Sequence, residues 1–253
     1  LARKPLKKQR PLKKQRPMKM KFELLDKIAH EGTDMMSFKF KRSDGKNNLT
    51  YKAGQYGVMD LETKKDKEGP TRYFTLASSP TEDTVLISTR IRNTPFKQKL
   101  ASLEISSIVK IKVPSGEFVL HGDHSKPAVM LSGGIGVTPF RSMIKYATDK
   151  QVPLRMVMFD SNRNEANILY KDLFDECERL NRNLKLIYTL TEEDQPASNT
   201  WRGERGRIDE AMVTRYLNNS EIKNSIFYMW AARDVEGDAT TAEERYAYTS
   251  EKN

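Results

Sequence analysis

Apolar and polar residues alternate along the first half of the chain. In MSFKFKR, Met36, Phe38 and Phe40 share one face. TVLISTRI puts Val85, Ile87, Thr89 and Ile91 on one face, and IVKIKV does the same with Val109, Ile111 and Val113. FELLDKI, YGVMDL and RYFTLAS are further short runs. Turn residues such as Ser43-Asp44-Gly45 and Pro114-Ser115-Gly116 separate them. Successive strand side chains point to opposite faces, so each run makes a strand with one buried side. Several such strands with turns between them predict an antiparallel β-barrel. One helical stretch, PFKQKLASL, interrupts it.

From about Lys126 the period changes. Compact apolar runs appear, AVMLS, LRMVMF, LKLIYTL and IFYMW, with amphipathic helices between them. The first helix has Phe140, Met143, Ile144 and Ala147 at helical spacing. The second is expected over Glu165–Arg182. The third, IDEAMVTRYL, aligns Ile208, Met212 and Tyr216. Strand–helix alternation builds a parallel sheet covered by helices. The expected fold is therefore two-domain: an antiparallel barrel over 21–124, then an α/β parallel-sheet domain over 125–253.

Charge separates a third region. Residues 1–21 hold ten of the 44 basic residues and none of the 34 acidic ones, so the net charge of +10 is local and the body is neutral. PLKKQRPLKKQRP is a tandem repeat without apolar periodicity, and its prolines interrupt any helix. Residues 1–20 are expected to be a disordered basic tail. It is read as a solvated extension, or as a dock for an acidic partner. No apolar run approaches the ~20 residues of a membrane-spanning helix. The lone Cys177 excludes an intramolecular disulfide and continues the helical row Leu169, Leu173, Cys177. It suits a buried thiol and a reducing, cytoplasmic compartment.

The chemistry concentrates in two motifs. In LSGGIGVTPFRSMI a strand ends, Gly133, Gly134 and Gly136 turn the chain, and a helix begins at Thr138-Pro139. Thr138 is a favourable N-cap, and proline suits the first helical turn. Glycines let the backbone approach a ligand closely, and free N–H groups at a helix start attract an anion. No Gly-Lys-Ser/Thr follows, so a Walker-type loop is excluded. The second motif is RYFTLASSP, where Arg72 and Phe74 share a strand face. His121 and His124 flank Asp123, but no further Cys or His cluster supports a metal. The absence of any Cys-x-x-Cys excludes an iron–sulfur cluster in this chain.

Together these motifs resemble the ferredoxin–NADP reductase superfamily, whose barrel carries Arg-x-Tyr-Ser/Thr and whose nucleotide loop reads Gly-Gly-x-Gly-x-Thr-Pro. TRIRNTPFKQKL, PSGEFVL and WRGERGRI are also similar to its members, in the same order, over about Phe22 to Trp230. The resemblance implies FAD on the barrel and NAD(P)H on the sheet domain. Arg72 would bind the flavin phosphate, with Tyr73 beside it in the motif. Phe74 would lie against the isoalloxazine ring and Thr75 near its N5; these two are the catalytic candidates. Thr89 and Arg90 would hold the ribityl-phosphate part. Gly116, Glu117 and Phe118 match the turn that approaches the second phosphate of FAD. Gly133, Gly134, Gly136, Thr138 and Pro139 would cradle the nicotinamide dinucleotide pyrophosphate. Ser161 and Arg163 lie where the adenosine ribose would be. There Arg163 suits a 2′-phosphate and Asp160 a free 2′-hydroxyl.

One segment departs from the family pattern. Trp230, Ala231 and Ala232 stand where members carry Cys-Gly-Pro, and the closing segment has only Tyr246 and Tyr248 as aromatics. Two functions fit. One is a flavoprotein oxidoreductase that takes a hydride from NAD(P)H and passes electrons to a ferredoxin- or flavodoxin-type protein or a small acceptor. The other is a flavin-binding module that has lost nicotinamide turnover.

Overall fold

The computed structural model describes residues 16–46, 49–63, 66–192 and 201–231. The repeat up to residue 15 and the closing segment from residue 232 lie outside the described residues.

The first domain is an antiparallel six-stranded sheet, nearly closed into a barrel. Its strands are β1 (Met18–Ala29), β2 (Met35–Arg42), β3 (Tyr56–Asp60), β4 (Thr71–Thr75), β5 (Val85–Arg90) and β6 (Ile108–Ser115), in the order β4-β3-β6-β1-β2-β5. Strand β1 begins at Met18, three residues before the barrel's expected start. The chain just after β4 bonds back to β5, Ala77 N–H donating to Leu86 O at 2.8 Å. Alternation builds the interior: Phe22, Leu24, Phe38, Phe40, Val85, Ile87, Val109 and Ile111 form one buried cluster. Helix α1 (Pro95–Ser102) plugs it with Phe96 and Leu100; the Thr94 hydroxyl caps its start by accepting from Lys97 N–H at 3.3 Å.

The second domain is a five-stranded parallel sheet. Its strands are β7 (Ala128–Gly133), β8 (Met156–Asn162), β9 (Leu184–Leu190), β10 (Glu204–Arg205) and β11 (Ile226–Ala231), in the order β10-β9-β8-β7-β11. Helices α2 (Thr138–Asp149), α3 (Lys171–Leu180), α4 (Glu210–Tyr216) and α5 (Asn219–Asn224) connect them. The helix expected over Glu165–Arg182 is broken. A short 3-10 turn, Glu165–Asn167, precedes α3, and Tyr170 between them has φ 61°. That left-handed residue turns the chain so that Ile168 and Leu169 are buried and the Tyr170 hydroxyl reaches Ser88 on β5. Cys177 is buried on α3, and burial pushes its thiol pKa up.

The two domains share a core. Met35, Ala53 and Phe118 of the barrel pack with Met143, Ile144 and Tyr228 of the sheet domain. At Gly54, φ 96°, an added Cβ would fall 2.2 Å from the Phe118 carbonyl oxygen and 2.4 Å from Met143 Cε. Only glycine permits that approach of the barrel to α2. Strand β5 is consequently buried on both faces, one by the barrel interior and one by the second domain.

Candidate functional site

The candidate residues fall into two groups, one on the barrel and one at the start of the sheet domain. The first is built by β4, β5 and α1. Arg72 and Phe74 lie on one side of β4, as period-two alternation requires: the Arg72 guanidinium carbon is 5.0 Å from the Phe96 ring centre, and the Phe74 ring 6.0 Å from it. Tyr73 points the other way, 56% exposed and edge-on to Tyr56 at 5.6 Å. Thr75 ends the strand, half-buried and paired in register with Tyr56.

The handles at this feature are those an anion needs. The Arg72 guanidinium and the Phe96 amide, the latter in the first turn of α1, both donate to the Asp66 carboxylate. Arg72 also pairs with Glu68 at 3.0 Å and donates to the carbonyls of Gly69 and Thr71. Burial by itself raises the Asp66 pKa, but the Phe96 amide, Arg72 and the Glu68 amide outweigh it and the net shift is downward. Asp66 is thus the anion that these donors hold in the structure.

Lys97 completes the cluster. Its ammonium stands 4.6 Å from the Phe74 ring centre and donates to Thr89 Oγ1. Phe74 is only 6% exposed, packed in the barrel core cluster with Lys97 over its ring, so its face is not open to a flat ring in this structure. Burial lowers the Lys97 pKa to about 7, and the nearby Arg72 and Arg92 charges add to the shift.

The second feature is the glycine loop. Gly133 closes β7 and Gly134–Val137 form a 3-10 turn into α2. The turn moves the helix start back, so Val137 is the N-cap and Thr138 is already helical. The Thr138 hydroxyl donates to Ile135 O at 3.3 Å instead of capping, contrary to the expectation for that residue. Pro139 sits in the first turn as expected. Gly134 has φ 53°, and a Cβ there would lie 3.3 Å from Arg90 Nη2.

Arg90 therefore belongs with this loop. Thr89 and Arg90 are adjacent on β5 and point to opposite sides: Thr89 meets Lys97, whereas Arg90 meets Gly134 and pairs with Asp34. Gly116, φ 94°, turns the chain after β6 against the Tyr56 ring, and its carbonyl accepts from Gln55 at 2.8 Å. Glu117 is exposed. Phe118 turns into the second domain, against Phe140, Tyr228 and Trp230.

The strand ends beside the loop are polar and buried. Ser132 and Asp160 are partners in register, and Gly133 pairs with Ser161. Asp160 Oδ1 and Asn162 Oδ1 are buried side-chain atoms with no hydrogen-bond partner. Burial raises the Asp160 pKa to about 6, opposed by the nearby Ser132 hydroxyl and by Asn162, whose amide donates to Asp160 Oδ2 at 2.9 Å. Asp160 is enclosed, so it is not available to a ribose at the surface; Arg163 is exposed and Ser161 half-buried. The Trp230 ring packs against Phe118 with centres 4.8 Å apart and planes tilted by 41°, and the next residue, Ala231, pairs with Gly133. His121 stacks on Tyr228 and accepts or donates at its hydroxyl at 2.8 Å, tying the interdomain segment to β11. Among the described residues no three His, Cys, Asp or Glu come together as a metal site, and no helix is long and apolar enough to cross a membrane.

Asp66 and Lys97 are site neighbours that periodicity does not mark. Asp66 lies in an unpatterned charged loop. Lys97 faces inward from the first turn of a helix whose stem and head play different parts.

Families of known proteins match both domains. Residues 22–120 match the oxidoreductase FAD-binding domain family, and residues 130–231 match the oxidoreductase NAD-binding domain family. Flavohemoprotein A of Dictyostelium discoideum is 26% identical over 214 residues, 80% of this chain and 51% of that protein. The NADPH nitrate reductase of Neurospora crassa is 31% identical over 223 residues, 75% of this chain and 22% of that protein. The chain thus spans about half the length of the first relative and about a fifth of the second. The cytochrome b5 reductase domain of Ulva prolifera nitrate reductase shares the fold, with TM-score 0.68, 22% identity, and coverage of 85% of this chain and 87% of that one. With an FAD-binding domain match over the barrel and an NAD-binding domain match over the sheet domain, the chain belongs to the ferredoxin–NADP reductase-like family of oxidoreductases.

Proposed function

We propose that the chain is an NAD(P)H-dependent flavin oxidoreductase, with FAD on the 21–124 unit and the nicotinamide dinucleotide on the 125–253 unit. One observation carries this reading: Arg90, from the flavin barrel, reaches the glycine loop of the sheet domain at Gly134. A residue of the flavin barrel thus borders the nucleotide loop, which supports a flavin and a nucleotide sharing one junction. FAD supplies the hydride and electron chemistry when bound. The chain's own residues bind and orient. Arg72 and the α1 amide hold a flavin phosphate, with Asp66 giving way to it. Gly133, Gly134 and Gly136 admit a pyrophosphate, and Thr138 and Pro139 start the helix behind it. Ser161 and Arg163 lie beyond, and the exposure of Arg163 favours a nucleotide with a 2′-phosphate. The electrons leave to a ferredoxin- or flavodoxin-type protein or a small acceptor. The single buried thiol supports a cytoplasmic setting.

The test is spectroscopic. Protein loaded with FAD is expected to be yellow, and anaerobic NADPH or NADH to bleach it. If dithionite bleaches it and neither nucleotide does, the chain is a flavin-binding module; nothing observed favours that second reading. If no flavin is retained, both readings fall.

Lys97 gives a pH signature. In the folded chain it releases its proton near pH 7, whereas an unfolded lysine holds it to about 10.4. The unfolded state binds more protons between these limits, so the flavin-free protein gains stability as pH rises through that window. A phosphate beside Arg72 raises the Lys97 pKa again. Flavin binding at about pH 8 is therefore expected to take up part of a proton. Calorimetry in two buffers of different ionisation heat measures this, and Lys97→Met should remove it. Equal enthalpies in both buffers would place the phosphate elsewhere.

A further inference from the structure

Arg141 is the buried charge that the binding motifs do not use. It follows Phe140 on α2, three residues after Thr138, and is 5% exposed. Its guanidinium leaves its own domain. Nη1 donates to the carbonyl of Ala77 at 3.0 Å, and Nη1 and Nη2 together grip the Glu82 carboxylate, the latter at 2.9 Å. The plane lies 5.6 Å from the Tyr170 ring centre. Nε is buried without a partner, so the arginine is held by its fork alone.

The receiving side is equally fixed. Glu82 accepts from Ser79 N–H at 2.5 Å. The carbonyl of Ser78 accepts from Tyr51 at 2.8 Å and from Ser142 on α2 at 2.6 Å. Thr81 donates to Asp149 at the far end of α2. Ala77 lies two residues beyond Thr75, the end of the flavin strand, and Arg141 five beyond Gly136. One side chain thus joins the continuation of the flavin motif to the helix that starts at the pyrophosphate loop.

We propose that Arg141, gripped by Glu82 and Ala77, is a positioning residue that sets the nicotinamide against the flavin ring; this role rests on the reductase reading above. A planar fork fixes direction as well as distance, which a lysine ammonium does not. Hydride transfer falls steeply when two bound rings are displaced, by about 100-fold for roughly 1 Å. Ala77, Glu82 and Tyr170, which Arg141 contacts, are not among the residues assigned to either ligand, so its loss moves the rings apart without removing either binding site.

The experiment compares wild type, Arg141→Met and Arg141→Lys, each loaded with FAD. Both variants are expected to keep the wild-type Kd for FAD and for NADP+ within about threefold, while flavin bleaching by NADPH slows by about 10- to 50-fold. Dithionite bleaching should be unchanged. The long-wavelength charge-transfer absorbance of stacked rings should weaken, and the primary deuterium isotope effect on bleaching should rise. A merely structural arginine would move neither signature. Wild-type rates and absorbance in Arg141→Lys overturn the proposal, and that variant decides if Arg141→Met does not fold. Amide exchange in the flavin-free protein gives a readout without turnover. Protection should fall at residues 76–79 and persist in β1 and β8; unchanged exchange, or uniform loss, overturns the clamp. If neither nucleotide bleaches wild type, the reductase reading fails instead, and the exchange result still decides whether the clamp exists.

Discussion

Arg72→Ala is expected to release the flavin while leaving nucleotide binding intact. The guanidinium is the only strand-borne cation of the barrel motif that converges with an α1 amide on one anion, at present the Asp66 carboxylate. Charge-assisted hydrogen bonds to a phosphate contribute about 1.5–3 kcal/mol each. Two of them correspond to a rise in flavin Kd of at least about 100-fold, since 1.4 kcal/mol is a factor of ten. Fluorescence quenching of added FAD measures it. The variant also leaves Asp66 buried beside only backbone donors, so it should lose stability near neutral pH. The Asp66 pKa is lowered in the folded state, so its contribution is present above the unfolded carboxyl pKa and is lost as pH falls through the folded one. Removing Arg72 shrinks that acid-sensitive contribution. Asp66→Asn separates the two effects. It keeps Arg72 and withdraws the competing charge, so it should bind FAD at least as tightly as wild type. If Arg72→Ala retains flavin at the wild-type Kd, the phosphate does not lie on β4.

The alternating runs made the barrel legible because each strand has one wet and one dry face. Phe38 and Phe40 on β2, and Val109 and Ile111 on β6, fall in the interior as their period predicts. Strand β5 was legible only on one side. Val85 and Ile87 face the barrel, but Leu86 and Ser88 are buried too, because the second domain covers them. A local period cannot report a surface buried by residues far along the chain. The same limit applies to α2. Its apolar stripe was visible, yet Arg141 and Ser142 are equally buried because they serve the junction. The break before α3 was hidden for another reason. Tyr170 adopts a left-handed conformation that its residue type disfavours, and the cost is offset by tertiary contacts to Ser88 and Phe174. At the site, the glycines and Arg72 were legible as chemistry. Asp66 and Lys97 were not, since a charged loop and a helix lysine usually mean solvent.

Gly134→Val is expected to do the opposite of Arg72→Ala: FAD stays bound and nucleotide-driven bleaching nearly stops. Gly134 holds φ 53°, a left-handed conformation that a β-branched residue adopts only with strain. Its Cβ would also lie 3.3 Å from Arg90 Nη2, and the valine methyl groups extend further. Either the loop leaves its turn or Arg90 is pushed from Asp34 and from the pyrophosphate cradle. Backbone strain of about 1–3 kcal/mol adds to the loss of aligned N–H donors. Together they predict a fall in nucleotide affinity or bleaching rate of about 100-fold or more, at 1.4 kcal/mol per factor of ten. Flavin affinity should fall only by what Arg90 contributes, because the Arg72 guanidinium and the Phe96 amide, which converge on Asp66, do not depend on Gly134. Titrating flavin fluorescence and following anaerobic bleaching on the same sample reads both quantities. Joint loss of flavin and nucleotide would mean that Arg90 couples the two motifs more tightly than strand alternation implies. Retained bleaching at the wild-type rate would remove the glycine loop from the nucleotide site.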